Sequence, residues 1–464
     1  MTTPETIGTT IDRARIQELT EREERTMNER TPRSRELFER ARRTMPNGVA
    51  SSYQAREPWP MFLTRGEGQF VWDADGHRLI DYHNGFGSMV VGHANPAIVK
   101  AVSERVRLGS HFSAPTEDAA FVAEELARRF RLPKWRFANS GTEATMDAIR
   151  IARGATGRDT VLKILGSYHG HHDGVMVAVG VNLDWDETDP DDIPSSPYGE
   201  GLPRAVADLT VAVPYNDAEA LSRRLDRLEE EGRLPACLIM EAAMMNIGVV
   251  LPEPGYLEAV REETKKRGVL LIFDEVKTGL TVAPGGATER FGVQPDLVTL
   301  AKTLGGGLPS GAVGGTDEVM AVVEEGRVHQ VGTFNGNPLS MAAARATLDE
   351  VLTPDAYPHL ESIDDRLLVG CEAVIERYGL PGYAVGIGSK GCVTFAPSRI
   401  TDYASFRKQQ DAELTDLAWL YNVNRDIFMT PGREEEWTLS VAHQPADADA
   451  FVAVFEELAA DLTA

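Results

Sequence analysis

VLLIFDEV, residues 269–276, sets five apolar residues directly in front of two carboxylates. A short apolar run with this ending reads as a strand buried on both faces that stops at a polar edge. Four more runs have the same character: TVLKIL (160–165), DLTVAV (208–213), ACLIM (236–240) and DLVTLA (296–301). Amphipathic stretches lie between them, such as DAEALSRRLDRLEEE (217–231) and GYLEAVREETKKRG (255–268). This alternation predicts a mostly parallel sheet covered by helices. Asp274 then falls at the carboxyl end of a strand, where ligands bind in open α/β sheets. A carboxylate there needs a cation or a donor, and a structural Asp held by backbone amides meets that need equally well.

Outward from this core the chain changes character twice. Residues 60–82 read as a β-meander punctuated by the turns RGEG and DADG. Beyond about residue 337, long helical stretches lead to a few strands and a terminal helix, a smaller α+β lobe. Residues 33–45 carry apolar residues near helical spacing, and Pro46-Asn47-Gly48 stops them. The expected organisation is a polar arm or peripheral helix over 1–30, an N-terminal segment of the small lobe over 31–85, a large α/β domain over 86–336 and a C-terminal small domain over 337–464. The acidic loop 184–194 reads as a mobile flap or a solvated excursion.

Among 464 residues, 47 Lys and Arg face 71 Asp and Glu, a net charge of −24. Nucleic acid and an anionic membrane would be repelled, although a local pocket can still be positive. Three cysteines, Cys237, Cys371 and Cys392, without a CxxC, argue against a disulfide framework or a thiolate zinc site. No signal-peptide core and no run of ~20 apolar residues is present, and a cytoplasmic location is expected.

Four further segments carry chemistry. Lys302 in LAKTLGGGLPSGAVGG (300–315) precedes its glycines, the reverse of a P-loop. Desolvated, its amine becomes a nucleophile toward carbonyls; the alternative is a surface lysine beside a flexible turn. In ANSGTEATMDAIRIARGATG (138–157), Ser140 and Glu143 form a capping box ahead of a helix. Gly141 and Thr142 there offer amides and a hydroxyl suited to phosphate, although many caps hold no ligand. GSYHGHHDG (166–174) invites a metal reading, but it has no helical i, i+4 histidine pair. Tyr168 or His169 could instead offer a flat face to a flat ring. Thr333 in GTFNGNPLSMAAA (332–344) is a second phosphate donor or part of a plain cap. Together these are the parts of a pyridoxal 5′-phosphate (PLP) site: a phosphate grip, an aromatic face, an acid for the ring nitrogen and a Schiff-base lysine.

With these blocks in this order, the sequence resembles the class III aminotransferases of PLP fold type I, most of all the glutamate-1-semialdehyde aminomutase branch. The matching blocks include MPNGV, VWDADGHRLIDY, FANSGTEATMDAIRIARGATGRD, YHGHHD, LIFDEVKTGL and FGVQPDLVTLAKTLGGGLPSGAVGG. The resemblance implies a mostly parallel sheet of seven strands in a large domain and a smaller α+β domain. It implies that Lys302 holds PLP and shuttles the proton, and that Asp274 pairs with the pyridine N–H. Val276 and Tyr168 would flank the ring, with His169 beside it. Ser140, Gly141 and Thr142 would grip the phosphate. Asn246 would face the ring hydroxyl, supported by Glu241. Thr333 would reach the phosphate of the neighbouring subunit's cofactor in a homodimer. No metal is implied.

The departures bear on substrate. Gln54 stands where the family keeps an arginine, with Arg56 two residues on. Phe86 replaces a tryptophan, and Ala242 follows Glu241 where the family has proline. Arg56 and Arg433 are candidate carboxylate binders, and Glu435 lies where the family often keeps an acid. These changes favour an aminotransferase moving an amino group between a small amine donor and a carbonyl acceptor. The alternative is the intramolecular aminomutase reaction. A non-catalytic PLP-fold binding protein and a histidine metalloenzyme are further readings that this set of residues argues against.

Overall fold

The computed structural model describes residues 11–181, 183–185, 187–430 and 436–464. The chain divides into two compact units, one of Pro96–Tyr357 with Ile400–Gln409, the other of residues up to Asn95 with Pro358–Arg399 and Gln410–Ala464.

The first unit is built on a seven-stranded sheet: β1 (Lys134–Ala138), β2 (Val161–Ile164), β3 (Thr210–Val213), β4 (Cys237–Met240), β5 (Leu270–Asp274), β6 (Leu297–Leu300) and β7 (Gly311–Gly315). The spatial order is β1-β7-β6-β5-β4-β2-β3. β7 is antiparallel to both its neighbours, and the run from β6 to β3 is parallel. The five strands expected from apolar runs are the parallel ones, buried as helix-covered strands must be. The helix Gly141–Thr156 covers one face, burying Ala148, Ile149, Ile151 and Ala152 against Val161, Ile239, Ile272 and Val313. Each such aliphatic side chain contributes about 1.5–3 kcal/mol when fully buried.

β1 and β7 went unforeseen for a physical reason. GAVGG reads as a flexible loop because glycine is poor in strands. Here the missing side chains are the requirement. A Cβ on Gly311 would lie 2.4 Å from the Ser140 carbonyl oxygen, and one on Gly314 would lie 2.5 Å from the Trp135 ring. Only a strand of small residues lets that turn and that ring lie flat on it.

Three segments divide otherwise than expected from sequence, the first being residues 86–95, which belong to the other unit. Pro338–Tyr357 belongs to the unit with the large sheet. Arg345, on the helix Pro338–Ala346, binds Asp118 at 3.1 Å across to the helix Glu117–Phe130. Ile400–Gln409 joins the same unit because Tyr403 occupies the space a side chain on Gly166 would need, and its hydroxyl donates to Val181 O at 3.2 Å. Asp191 and Asp192 of the acidic loop are tied to the helix Ala218–Glu230 by Arg223 at 2.7 Å and Arg224 at 3.4 Å.

In the other unit, the meander is Leu63–Glu67, Phe70–Asp73 and Arg78–Asp81, extended in parallel by Ile427–Phe428. A second sheet joins Tyr383–Ile387, Lys390–Thr394 and Trp437–Thr438. The arm expected over 1–30 is, over its described part, the helix Arg13–Arg30, capped by Asp12 and burying Ile16, Leu19, Glu23 and Met27. Glu23 interrupts an apolar stripe at helical spacing, and Asn424 and Arg425 meet its carboxylate. No helix among the described residues is long and apolar enough to cross a membrane.

Candidate active site

The site grows from the carboxyl ends of β5 and β6. Asp274, the last residue of β5, is 4% exposed and lies in register with Thr299 on β6. Its Oδ1 accepts from Thr299 Oγ1 at 3.1 Å and from the Val276 amide at 3.0 Å. Its Oδ2 meets His169 Nδ1 at 2.7 Å. An ionised carboxylate only accepts, so Nδ1 carries the proton there. Nε2 of the same ring meets Ser167 Oγ at 2.9 Å. Burial lowers the His169 pKa, opposed by the hydrogen bond and charge of Asp274. With both ring nitrogens engaged, His169 is not open to a metal. His171 is exposed, His172 is half-buried, and no group of three metal-ligating side chains exists among the described residues.

The turn after β1 leaves helix-opening amides without an acceptor among the described residues. Ser140 caps the helix Gly141–Thr156, its side chain accepting from Glu143 N at 3.2 Å. The expected capping box is only half formed. The Glu143 carboxylate reaches back one residue further, to the Asn139 amide at 2.6 Å. The amides of Gly141 and Thr142 have no acceptor among the described residues and open the helix, where an anion is favoured. A Cβ on Gly141 would sit 3.0 Å from Val276 and 3.6 Å from Ala301. A Cβ on Gly170 would sit 2.7 Å from Thr142 Oγ1, which accepts from the His171 amide at 3.2 Å. The helix-opening glycine thus lies in van der Waals reach of Val276, whose own amide bonds the buried Asp274 carboxylate. This donor set fits a flat pyridine ring bearing a phosphate.

Lys302 follows β6 directly and opens the 3₁₀ turn Lys302–Gly305. Its φ is 46°, in the left-handed region that side chains other than glycine rarely adopt. Such a conformation costs about 1–2 kcal/mol and persists only where the surroundings impose it. Asn246 Nδ2 lies 3.4 Å from both Tyr168 O and Glu241 Oε2, linking the segment that carries Tyr168 to the buried Glu241. Thr333 lies in an exposed turn between Val331 and Phe334, which are 79% and 58% exposed. Asn335 of that turn accepts from Asn139 at 2.9 Å.

The remaining candidates belong to the other unit. Phe86 follows Asn84 and Gly85 in a turn where all three have positive φ, and its ring meets those of His83 at 4.3 Å and Tyr53 at 5.8 Å. The Arg56 guanidinium stacks over Trp419 at 4.7 Å in a groove of about 1020 Å³ that Arg13, Glu413 and Asp416 also line. Arg433 and Glu435 lie outside the described residues. Sequence reasoning missed Ser167, Thr299 and Lys163. Thr299 was detectable in principle, as the residue opposite Asp274 once two neighbouring strands are aligned.

The sequence profile Aminotransferase class-III matches residues 52–396. A glutamate-1-semialdehyde 2,1-aminomutase from Thermus thermophilus is 41% identical over 90% of this chain and 97% of its own. An omega-transaminase structure from Sphaerobacter thermophilus superposes with a TM-score of 0.86 at 32% identity, covering 94% of this chain and 100% of that one. A glutamate-1-semialdehyde aminomutase structure from Pseudomonas aeruginosa, in complex with PMP, gives 0.89 at 29%, covering 98% and 100%. The match spans all seven strands of the large sheet and includes Asp274 and Lys302, and the chain belongs to the class-III aminotransferase family.

Proposed function

We propose that this chain is a PLP-dependent aminotransferase in which Lys302 anchors the cofactor and moves the proton. The observation that carries the reading is Lys302, held in a left-handed conformation after β6, three residues beyond Thr299, the register partner of a buried Asp274 that already has three hydrogen-bond partners. When bound, PLP supplies an aldehyde for amines and a ring that withdraws electrons from the carbon bearing them.

The chain's own residues do the rest. The amides of Gly141 and Thr142, with the Ser140 and Thr142 hydroxyls, bind the phosphate. Asp274 accepts the pyridine N–H and keeps that proton on the ring, and His169 and Thr299 hold the carboxylate in place. Val276, which lies against Gly141, and Tyr168 would flank the ring. Asn246, with Glu241 behind it, faces the ring hydroxyl. The Lys302 Nζ would hold the cofactor through its aldehyde and, once freed for a substrate amine, would take the proton from the carbon bearing the amino group. It returns a proton at the cofactor end, which requires that it stay within reach of both carbons.

A homodimer, with Thr333 exposed for the neighbouring cofactor, is part of the same reading. So is a reducing, cytoplasmic setting, supported by three buried free thiols. Gln54, Phe86 and Ala242 favour transfer between two molecules over internal transfer. Purified protein mixed with amino donors alone tests this. Stoichiometric release of carbonyl product followed by arrest until an acceptor is added supports it. Multiple turnovers of glutamate-1-semialdehyde without an acceptor would favour the aminomutase. Borohydride reduction that leaves no pyridoxyl group on the Lys302 peptide refutes both.

A further inference from the structure

Lys163 is wholly buried in the middle of the sheet, at the third position of β2, in register with Ala212 on β3 and Ile239 on β4. Its Nζ donates to Ser167 O at 2.7 Å and to Val177 O at 2.8 Å. These carbonyls are its only hydrogen-bond partners among the described residues, and no carboxylate contacts it. An ammonium carries three N–H groups, so one is left over, and a buried cation met only by carbonyl dipoles is costly.

Burial pushes the Lys163 pKa down to about 7, with the Glu241 carboxylate pulling upward. A base whose folded value lies below its unfolded one loses stability as pH falls through that interval. At neutral pH this lysine is therefore a liability that a methionine of similar length would avoid. Packing does not account for it.

What the amine does, and a methionine cannot, is tie two carbonyls ten positions apart. Between them runs the segment carrying Tyr168, His169, Gly170 and His171, which has no helix or strand hydrogen bonding of its own. His169 reaches Asp274 from this segment, and its Gly170 and His171 lie against Thr142. We propose that Lys163 is a positioning residue of the active site, pinning both ends of segment 167–177 to the sheet and so fixing where Tyr168 and His169 lie. The inference rests on the PLP reading above.

The experiment compares wild type with Lys163→Met, Lys163→Gln and Lys163→Arg. Each is titrated with PLP and examined by visible circular dichroism per bound cofactor, which reports ring placement rather than turnover. The Met variant should keep the far-ultraviolet spectrum, the elution volume and the borohydride adduct on Lys302. Its dichroism per cofactor should fall at least about twofold and its PLP dissociation constant rise about tenfold, the effect of leaving buried carbonyls unpaired. Gln, with one short donor group, should fall between Met and wild type, and Arg should restore most of the signal. A folded Met variant with wild-type dichroism and affinity overturns the inference, as does wild-type behaviour of the Gln variant where Met does not fold. Failure of all three to fold assigns Lys163 to folding alone and overturns it too. Wild-type protein that takes up no PLP overturns the functional reading and this inference with it. Wild-type uptake beside an unchanged Met variant overturns this inference alone.

Discussion

The carboxyl edge of the large sheet and the turn at Asn84–Gly87 of the other unit hold their candidate residues by opposite means. At the sheet edge, polar groups are fixed by saturation. Asp274 meets two side-chain partners and one backbone amide, and His169 uses both ring nitrogens, with each residue under 5% exposed. At the turn, Phe86 is fixed by a run of positive φ angles and by rings packed edge to face, beside a Tyr53 that is 53% exposed. A change at the edge leaves a buried donor or acceptor unpaired. A change at the turn swaps one apolar contact for another. Chemistry should therefore fail first at the edge, while the turn can vary with substrate.

Removing the amine of Lys302 is the severest test of that contrast. Lys302→Ala should lower turnover by on the order of 10⁴-fold, since anchor and proton carrier are lost together. PLP should still bind through its phosphate, visible as an absorbing complex that borohydride does not trap. Retention of substantial turnover would break the contrast at its strongest point. Asp274→Asn should come next, at about 10²–10³-fold in kcat, the range for losing one preorganised electrostatic partner. A loss confined to KM would instead make Asp274 a binding residue only.

Acid stability should not distinguish the two units, because each holds a histidine whose pKa burial pushes far down. Burial lowers His172 in the large unit and His443 in the other to about 4. Above the unfolded value near 6.5 both states are neutral and nothing changes. As pH falls from 6.5 toward 4, the unfolded chain takes up the proton first and stability drops, by about 3 kcal/mol per histidine. Denaturant titrations at pH 7 and pH 4.5 should show this fall, and His172→Asn and His443→Asn should each flatten it. Parallel curves for wild type and both variants would remove the histidines as its cause. A smaller effect is expected at Gly141. An alanine Cβ would lie 3.0 Å from Val276, so Gly141→Ala should weaken PLP binding about tenfold, and adding Val276→Ala should recover most of it.

How far the sequence foretold this follows from where the information sits. Asp274 and Lys302 were legible because each ends an apolar run, and a charge placed there has few bland explanations. The five parallel strands were legible for the same reason. Ser167 and Thr299 were not, since their partners lie at His169 and Asp274, and only strand register or a loop brings each pair together. Lys163 passed as one residue of a strand, because nothing local says that its Nζ meets carbonyls at 167 and 177. A peripheral helix was one reading of residues 1–30, but its apolar face was obscured by Glu23, whose partners Asn424 and Arg425 lie some 400 residues on. Tyr403 joins the large unit through a glycine at 166, a contact invisible along the chain.

The smallest predicted effect sharpens the contrast from the other side. Arg56 is one of the cations in its unit that a substrate carboxylate could use, yet its guanidinium is stacked on Trp419 at 4.7 Å. That contact stabilises the charge by about 0.5–2 kcal/mol, and a carboxylate would have to compete with it. Five acidic side chains, Glu21, Glu24, Glu57, Glu413 and Asp416, line the same groove and disfavour a second anion. Arg56→Ala should then change KM by less than about threefold, and by the same factor for carboxylate-bearing donors and for plain amines. A rise of tenfold or more confined to the carboxylate-bearing donors would make Arg56 the anion binder. In that case selectivity in the smaller unit would rest on a charge as firmly as chemistry does at the sheet edge, and the division between saturated edge and permissive turn would not hold.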